Sequence, residues 1–147
     1  MISDALKRAF EKKEKRGWDK WPKMYIFIDL HDVIIPGTYT HNNANKEFYP
    51  YAKCVLQYFT DDSRFCIILW TASHKTAIDE ICEWLDYYDI KFDYINENPE
   101  CHSTELLDVS KKPYFDLLLE DKAGFNAEYD WMNIMETLIN MGEWEDY

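Results

Sequence analysis

A chain of 147 residues is the ordinary size of one domain and long enough to bury a core. Hydrophobic residues make up 47% and aromatics 17%, which excludes a disordered chain; the four glycines and five prolines gather into no linker, and no internal repeat is visible. The formal net charge of -12 repels phosphate polymers and anionic surfaces, so neither nucleic acid nor membrane is expected as the main partner.

Taken in chain order, residues 1–20 read as an accessory N-terminal helix. It is capped by Ser3, runs to Arg16 and is stopped by Gly17. Its apolar residues are few, and its Lys/Arg cluster is expected to form a solvated face. The run MYIFIDL, Met24 to Leu30, then predicts a strand covered on both faces, as in parallel sheets. It ends abruptly in Asp29, His31 and Asp32. Residues 33–49 read as a loop or flap, whose polar part Pro36–Phe48 offers Tyr39, His41, Asn42, Asn43 and Lys46 for ligand contact.

Helical spacing follows over Tyr51–Phe59, then a second apolar strand, FCIILWT, over Phe65–Thr71. His74 and Lys75 open a helix to Tyr88, with Ile78, Ile81, Cys82 and Leu85 on one stripe. A weak strand, FDYIN, spans Phe92–Asn96. A third strong one, YFDLLLED, spans Tyr114–Asp121, and a last helix covers Ala127–Met141. Strands alternating with helices imply right-handed crossovers, a mostly parallel sheet and a three-layer α/β/α, Rossmann-like single domain over 1–147.

In such sheets ligands bind beyond the carboxyl ends of the strands. All three strong strands end there in residues with chemistry to offer: Asp29 with His31 and Asp32, Thr71 with Ser73, and Glu120 with Asp121. Adjacent unpaired carboxylates are costly without a cation, so the acids suggest a metal. Cys54, Cys66, Cys82 and Cys101 show neither a C-x-x-C pair nor zinc spacing and are expected as reduced thiols, which suits a cytoplasmic setting. No long apolar run at the N-terminus suggests a signal peptide or membrane span.

Four motifs between Tyr25 and Phe125 resemble the haloacid-dehalogenase-like (HAD) phosphohydrolases. They are IFIDLHDVI, IILWTAS, a lysine in KKPYFD (Lys112, with Lys111 as the alternate), and LLLEDKAGF. The resemblance implies a Mg²⁺-dependent phosphatase working through an aspartyl-phosphate on Asp29. It implies Mg²⁺ held by Asp29, Asp121 and the backbone carbonyl of His31, with Glu120 as a direct ligand or behind one. Thr71, with Ser73, would bind phosphate oxygens, and Lys112 would neutralise the nucleophile and the phosphoryl group.

The chain departs from the family's pattern where a second Asp normally follows the nucleophile by two residues; here stands His31. Histidine's ordinary pKa of about 6.5 suits proton transfer, which makes His31 the candidate general acid. Loss of that job would instead leave a module that binds metal or a phosphorylated ligand without turnover. Glu120 replaces the commoner Asp. Neither gap between motifs has room for a cap domain, so a capless, open site is expected, with a phosphorylated small molecule or macromolecule as ligand.

Overall fold

The computed structural model describes residues 1–37, 46–110 and 112–145. In chain order they form α1 (Ile2–Arg16), β1 (Met24–Asp29), α2 (Ala52–Asp61), β2 (Phe65–Trp70), α3 (Lys75–Tyr87), β3 (Tyr94–Ile95), β4 (Leu117–Leu119) and α4 (Asp130–Asn140). The four strands make one all-parallel sheet in the order β3-β2-β1-β4. The fold is α/β and Rossmann-like, as the alternation of elements predicts. Among the described residues no helix is long and apolar enough to cross a membrane.

Strand order fixes where the site lies. The chain moves outward from β1 through β2 to β3, then returns to place β4 on the other side of β1. The order therefore reverses between β1 and β4, and the gap beyond that reversal is where ligands sit in open parallel sheets. Register brings the strand ends level, with Asp29 opposite Trp70 and Ile28 opposite Leu119.

Side-chain alternation along each strand divides the core in two. Met24, Ile26, Ile28, Phe65, Ile67, Leu69, Leu117 and Leu119 point to one face, where the buried residues of all four α-helices meet them. Tyr25, Phe27, Cys66 and Ile68 point to the other, against Trp70, Tyr94, Cys101, Tyr114, Phe115 and Leu118. Right-handed crossovers explain the asymmetry: α2 and α3 lie on one face, and the return from β3 to β4 must cross the opposite one. The described residues of that return, 96–110 and 112–116, contain no helix and form the third layer as irregular chain.

Several sequence expectations change in detail. The N-terminal helix packs on the domain through Leu6, Ala9 and Phe10, which are buried in the main core. Its basic residues are not all solvated: Lys13 is fully buried, its Nζ 3.1 Å from Asp116 Oδ2 and over the rings of Tyr25 and Trp21. Ser3 does not cap the helix; its hydroxyl instead accepts from Thr137 Oγ1 on α4 at 2.9 Å. Gly17 does end it, with φ +85°.

The strand expected over Tyr114–Asp121 shrinks to Leu117–Leu119, and that over Phe92–Asn96 to Tyr94–Ile95. Side chains take over where the backbone ladder stops. Asp116 Oδ2 accepts from the Tyr25 amide at 2.8 Å, and Asp93 Oδ2 from the Ile67 amide at 2.9 Å. All four cysteines are free, and burial pushes the Cys66 thiol up to about 12.

Candidate functional site at the carboxyl edge of the sheet

A cleft of about 710 Å³ opens beyond the strand ends, lined by Asp29, His31, Thr71, Ser73, Glu120 and Asp121 together with Asp32, Trp70, Asn96 and Lys122. Three segments far apart in sequence thus bring their polar tips to one place, at the reversal of strand order.

Asp29 is the last residue of β1 and is half-buried. Its Oδ1 accepts from the Leu30 amide at 2.8 Å; among the described residues Oδ2 enters no hydrogen bond. Burial raises the Asp29 carboxyl above its ordinary range. The Leu30 amide and His31 oppose that, while the charges of Glu120 and Asp121 add to it. An acid so placed gains from any cation that enters the cleft.

A tight turn locks the residues after Asp29. The Leu30 carbonyl accepts from the Ile34 and Ile35 amides, and Asp32 N–H donates to Ile35 O at 2.7 Å. Val33, Ile34 and Ile35 are fully buried beneath, and the Trp131 indole donates to Val33 O at 2.7 Å. The apolar triplet is driven inward, which leaves His31 and Asp32 on the cleft side. Asp32 adopts φ +62°, the left-handed region that Asp tolerates, and its Oδ1 accepts from the Gly37 amide at 2.9 Å. This backbone geometry is why Asp32 joins the lining although it neighbours His31 in sequence.

At the end of β2, Thr71 Oγ1 lies 3.0 Å from Ser73 Oγ and accepts from the Ser73 amide at 3.2 Å. The two hydroxyls therefore share one end of the cleft, beside Trp70, whose ring packs on Phe27 with centroids 5.2 Å apart. Helix α3 begins at Lys75, with His74 at its N-cap position but making no side-chain capping bond.

Lys112 falls outside this arrangement. It is exposed, does not line the cleft, and its Nζ lies 5.8 Å above the Phe115 ring. The cause is the irregular path of 112–116 over the second sheet face before β4 begins. Its alternate, Lys111, lies outside the described residues, as do Tyr39, His41, Asn42 and Asn43 of the flap. Lys46 is turned away from the role expected of it, its buried side chain pairing with Glu80 on α3 at 2.8 Å.

Sequence reasoning missed Asn96 and Lys122. Asn96 closes the weak strand, whose short ladder gives little sequence signal of a strand end. Lys122 directly follows the acid pair and brings a positive charge to the lining, the part assigned to Lys112.

Among the described residues no group of three or more His, Cys, Asp or Glu side chains is disposed to hold a metal ion. Magnesium does not need one: it keeps several waters and is commonly held by one or two carboxylates plus ligand phosphate. Asp29 and Asp121, with the His31 carbonyl, are oxygen donors of the kind Mg²⁺ takes.

No protein-family model matches the chain, and a search of curated proteins finds no match. Among solved structures, a conserved protein from Bacteroides thetaiotaomicron superposes with a TM-score of 0.58 at 22% identity, covering 83% of this chain and 93% of that one. The class defined here is thus an α/β protein with a parallel sheet and an acidic cleft at its carboxyl edge. The neighbour shares the fold.

Proposed function

We propose that this chain is a Mg²⁺-dependent phosphomonoester hydrolase of the HAD type, working through an aspartyl-phosphate on Asp29. The observation that carries the reading is the meeting of Asp29, Thr71, Ser73, Glu120 and Asp121 in one cleft at the reversal of strand order. In this reading Asp29 Oδ2 attacks phosphorus as the ester oxygen departs, and His31 donates the proton that oxygen needs. Water then cleaves the acyl phosphate, with His31 taking back a proton, and releases inorganic phosphate. Thr71 and Ser73 hold phosphoryl oxygens, and Lys122 adds positive charge from the β4 side. A bound Mg²⁺, held by Asp29, Asp121 and the His31 carbonyl with Glu120 in support, would offset the charge of nucleophile and phosphate. The open cleft suits a phosphorylated metabolite or a phosphate displayed on a macromolecule.

The test is turnover of a simple aryl phosphate with and without Mg²⁺. Asp29→Asn should lower the rate about a thousandfold or more while leaving the circular dichroism spectrum unchanged. Mg²⁺-dependent turnover that survives in Asp29→Asn sinks the mechanism.

A second reading, binding of a phosphorylated ligand without turnover, is favoured by His31 in place of the usual acid. His31→Ala separates the two. A loss of about a hundredfold fits a general acid, and a loss under about threefold removes His31 from that role.

A further inference from the structure

We infer that Asn96 is a positioning residue that sets Thr71 in the cleft, a role that rests on the phosphohydrolase reading. Strand β3 pairs with β2 through two residues, Tyr94 opposite Ile68 and Ile95 opposite Leu69. Past Ile95 the chain leaves the sheet, and the backbone of Thr71 has no strand beside it. Asn96 fills that place with its side chain. Its Oδ1 accepts from the Thr71 amide at 2.8 Å and its Nδ2 donates to the Thr71 carbonyl at 2.8 Å. The primary amide thus reproduces both halves of a backbone pairing one residue beyond the end of the ladder.

The backbone of Asn96 is committed to the same purpose. Its own amide donates to Leu69 O at 2.8 Å, and it adopts φ +59°. Three bonds therefore tie Asn96 to β2 on either side of Trp70. The left-handed conformation is one that Asn visits more readily than most residues but still at some strain. The side chain's amide geometry is specific. A carboxylate in its place would face the Thr71 carbonyl with an oxygen, and an alanine would leave the Thr71 amide and carbonyl to water.

The result is a fixed Thr71 backbone, from which Oγ1 meets Ser73 Oγ at 3.0 Å. A hydroxyl held there can bond a phosphoryl oxygen without being ordered at the moment of reaction, which is how small displacements of a positioning group come to cost rate. Asn96 itself reaches no reacting atom in this scheme; both polar ends of its side chain are engaged by Thr71.

The test uses Asn96→Gly, because glycine accepts φ +59° without strain and so removes the amide while sparing the fold. Two readouts are taken on the full chain. The first is hydrogen exchange of the Thr71 amide, which needs no substrate; protection should fall about tenfold in Asn96→Gly with the melting temperature held. The second is kcat/KM for an aryl phosphate in Asn96→Gly, Thr71→Ala and the double variant. The loss in Asn96→Gly should be about tenfold, and the double variant should be no slower than Thr71→Ala alone, as expected when one residue acts through the other. Asn96→Asp should behave like the glycine variant.

Unchanged Thr71 protection overturns the inference whatever the chemistry. So do additive losses in the double variant, or a kcat/KM within twofold of wild type. A wild-type chain that turns over no phosphate ester instead overturns the preceding section; the exchange measurement then still supports or refutes the hold of Asn96 on Thr71.

Discussion

On one face of the sheet, Ile26, Ile28, Ile67 and Leu69 meet the apolar stripes of four helices; on the other, Tyr25, Phe27, Cys66 and Ile68 meet a stretch of chain with no helix among its described residues. The helical face is held by burial and close packing. The second face adds a polar knot. Glu100 accepts from Lys23 Nζ at 2.9 Å and from the hydroxyls of Tyr94 at 2.7 Å and Tyr25 at 3.2 Å. Asn98 Nδ2 ties the start of the crossover to its end at Tyr114 O, 2.9 Å away. The difference teaches that a parallel sheet does not need helices on both faces, provided the irregular cover satisfies its own polar groups. It also shows why the cleft keeps its shape: the turn after Asp29 rests on the helix-packed side, its Val33 carbonyl bonded by the Trp131 indole.

The sharpest way to probe this contrast is a pair of neighbours. Ile67 and Ile68 are consecutive in β2, identical in type and both fully buried, but they point to opposite faces. The cost of truncating a buried aliphatic residue depends on how far the surroundings collapse into the space left. Packed helices collapse little, and an irregular segment collapses more. Ile67→Ala should therefore cost about 4 kcal/mol and Ile68→Ala about 2.5 kcal/mol, read from urea denaturation with the slope checked for constancy. Equal costs, or the reverse order, would mean that the cover over Ile68 is as rigid as the helices.

The same contrast explains what could be read from the sequence. The helical face was legible because its signal is periodic: the apolar stripe Ile78, Ile81, Leu85 on α3 matches an i, i+3, i+7 pattern, and the strand runs are continuous. The strand-end rule likewise points to Asp29, Thr71, Ser73, Glu120 and Asp121, which the fold brings to one cleft. The second face was not legible, because its cover has no period; Glu100, Asn98 and Tyr114 are joined by tertiary hydrogen bonds between residues of unremarkable local sequence. Strands β3 and β4 came out too long for a related reason. Asp93, Asp116 and Asn96 replace backbone partners with side chains, so an apolar run overstates the ladder. Lys112 lies away from the cleft lining because its place depends on that same irregular path. Asp32 lines the cleft beside its neighbour His31 because its positive φ turns the backbone between them.

A second break falls where the helical layer meets the polar one. Lys13 has no exposed side-chain surface and lies 3.1 Å from Asp116 Oδ2, itself 6% exposed. Removing one member of a buried pair leaves the other charge without compensation. Lys13→Met, which keeps the length and apolar bulk, should cost about 3 kcal/mol, because Asp116 would retain the Tyr25 amide and Tyr114 hydroxyl but lose its cation. Lys12 and Lys15 flank it on the exposed side of the same helix. Their methionine variants should stay within about 0.5 kcal/mol of wild type in the same denaturation experiment. Losses of equal size at all three positions would show that the helix, and not the ion pair, is being measured.

The smallest expected effect tests the polar knot by its pH dependence. Burial pushes the Glu100 carboxyl up, but the hydrogen bond from Lys23, that from Tyr94 and the lysine charge outweigh it, so its pKa lies below the ordinary value of 4.5. A carboxyl depressed in the folded state binds its proton more readily when unfolded. Its contribution is therefore complete above the unfolded value and fades as pH falls through the lower, folded one. Wild-type melting temperature should accordingly drop between about pH 5 and pH 3 more steeply than that of Glu100→Gln, which has no proton to gain there. At pH 7 the variant should be modestly less stable, because a neutral amide keeps acceptor contacts to Tyr94 and Lys23 but not the charge. Curves that run parallel down to pH 3 would mean that Lys23 and the tyrosines do not depress Glu100, and that the second face is held by its aromatic packing alone.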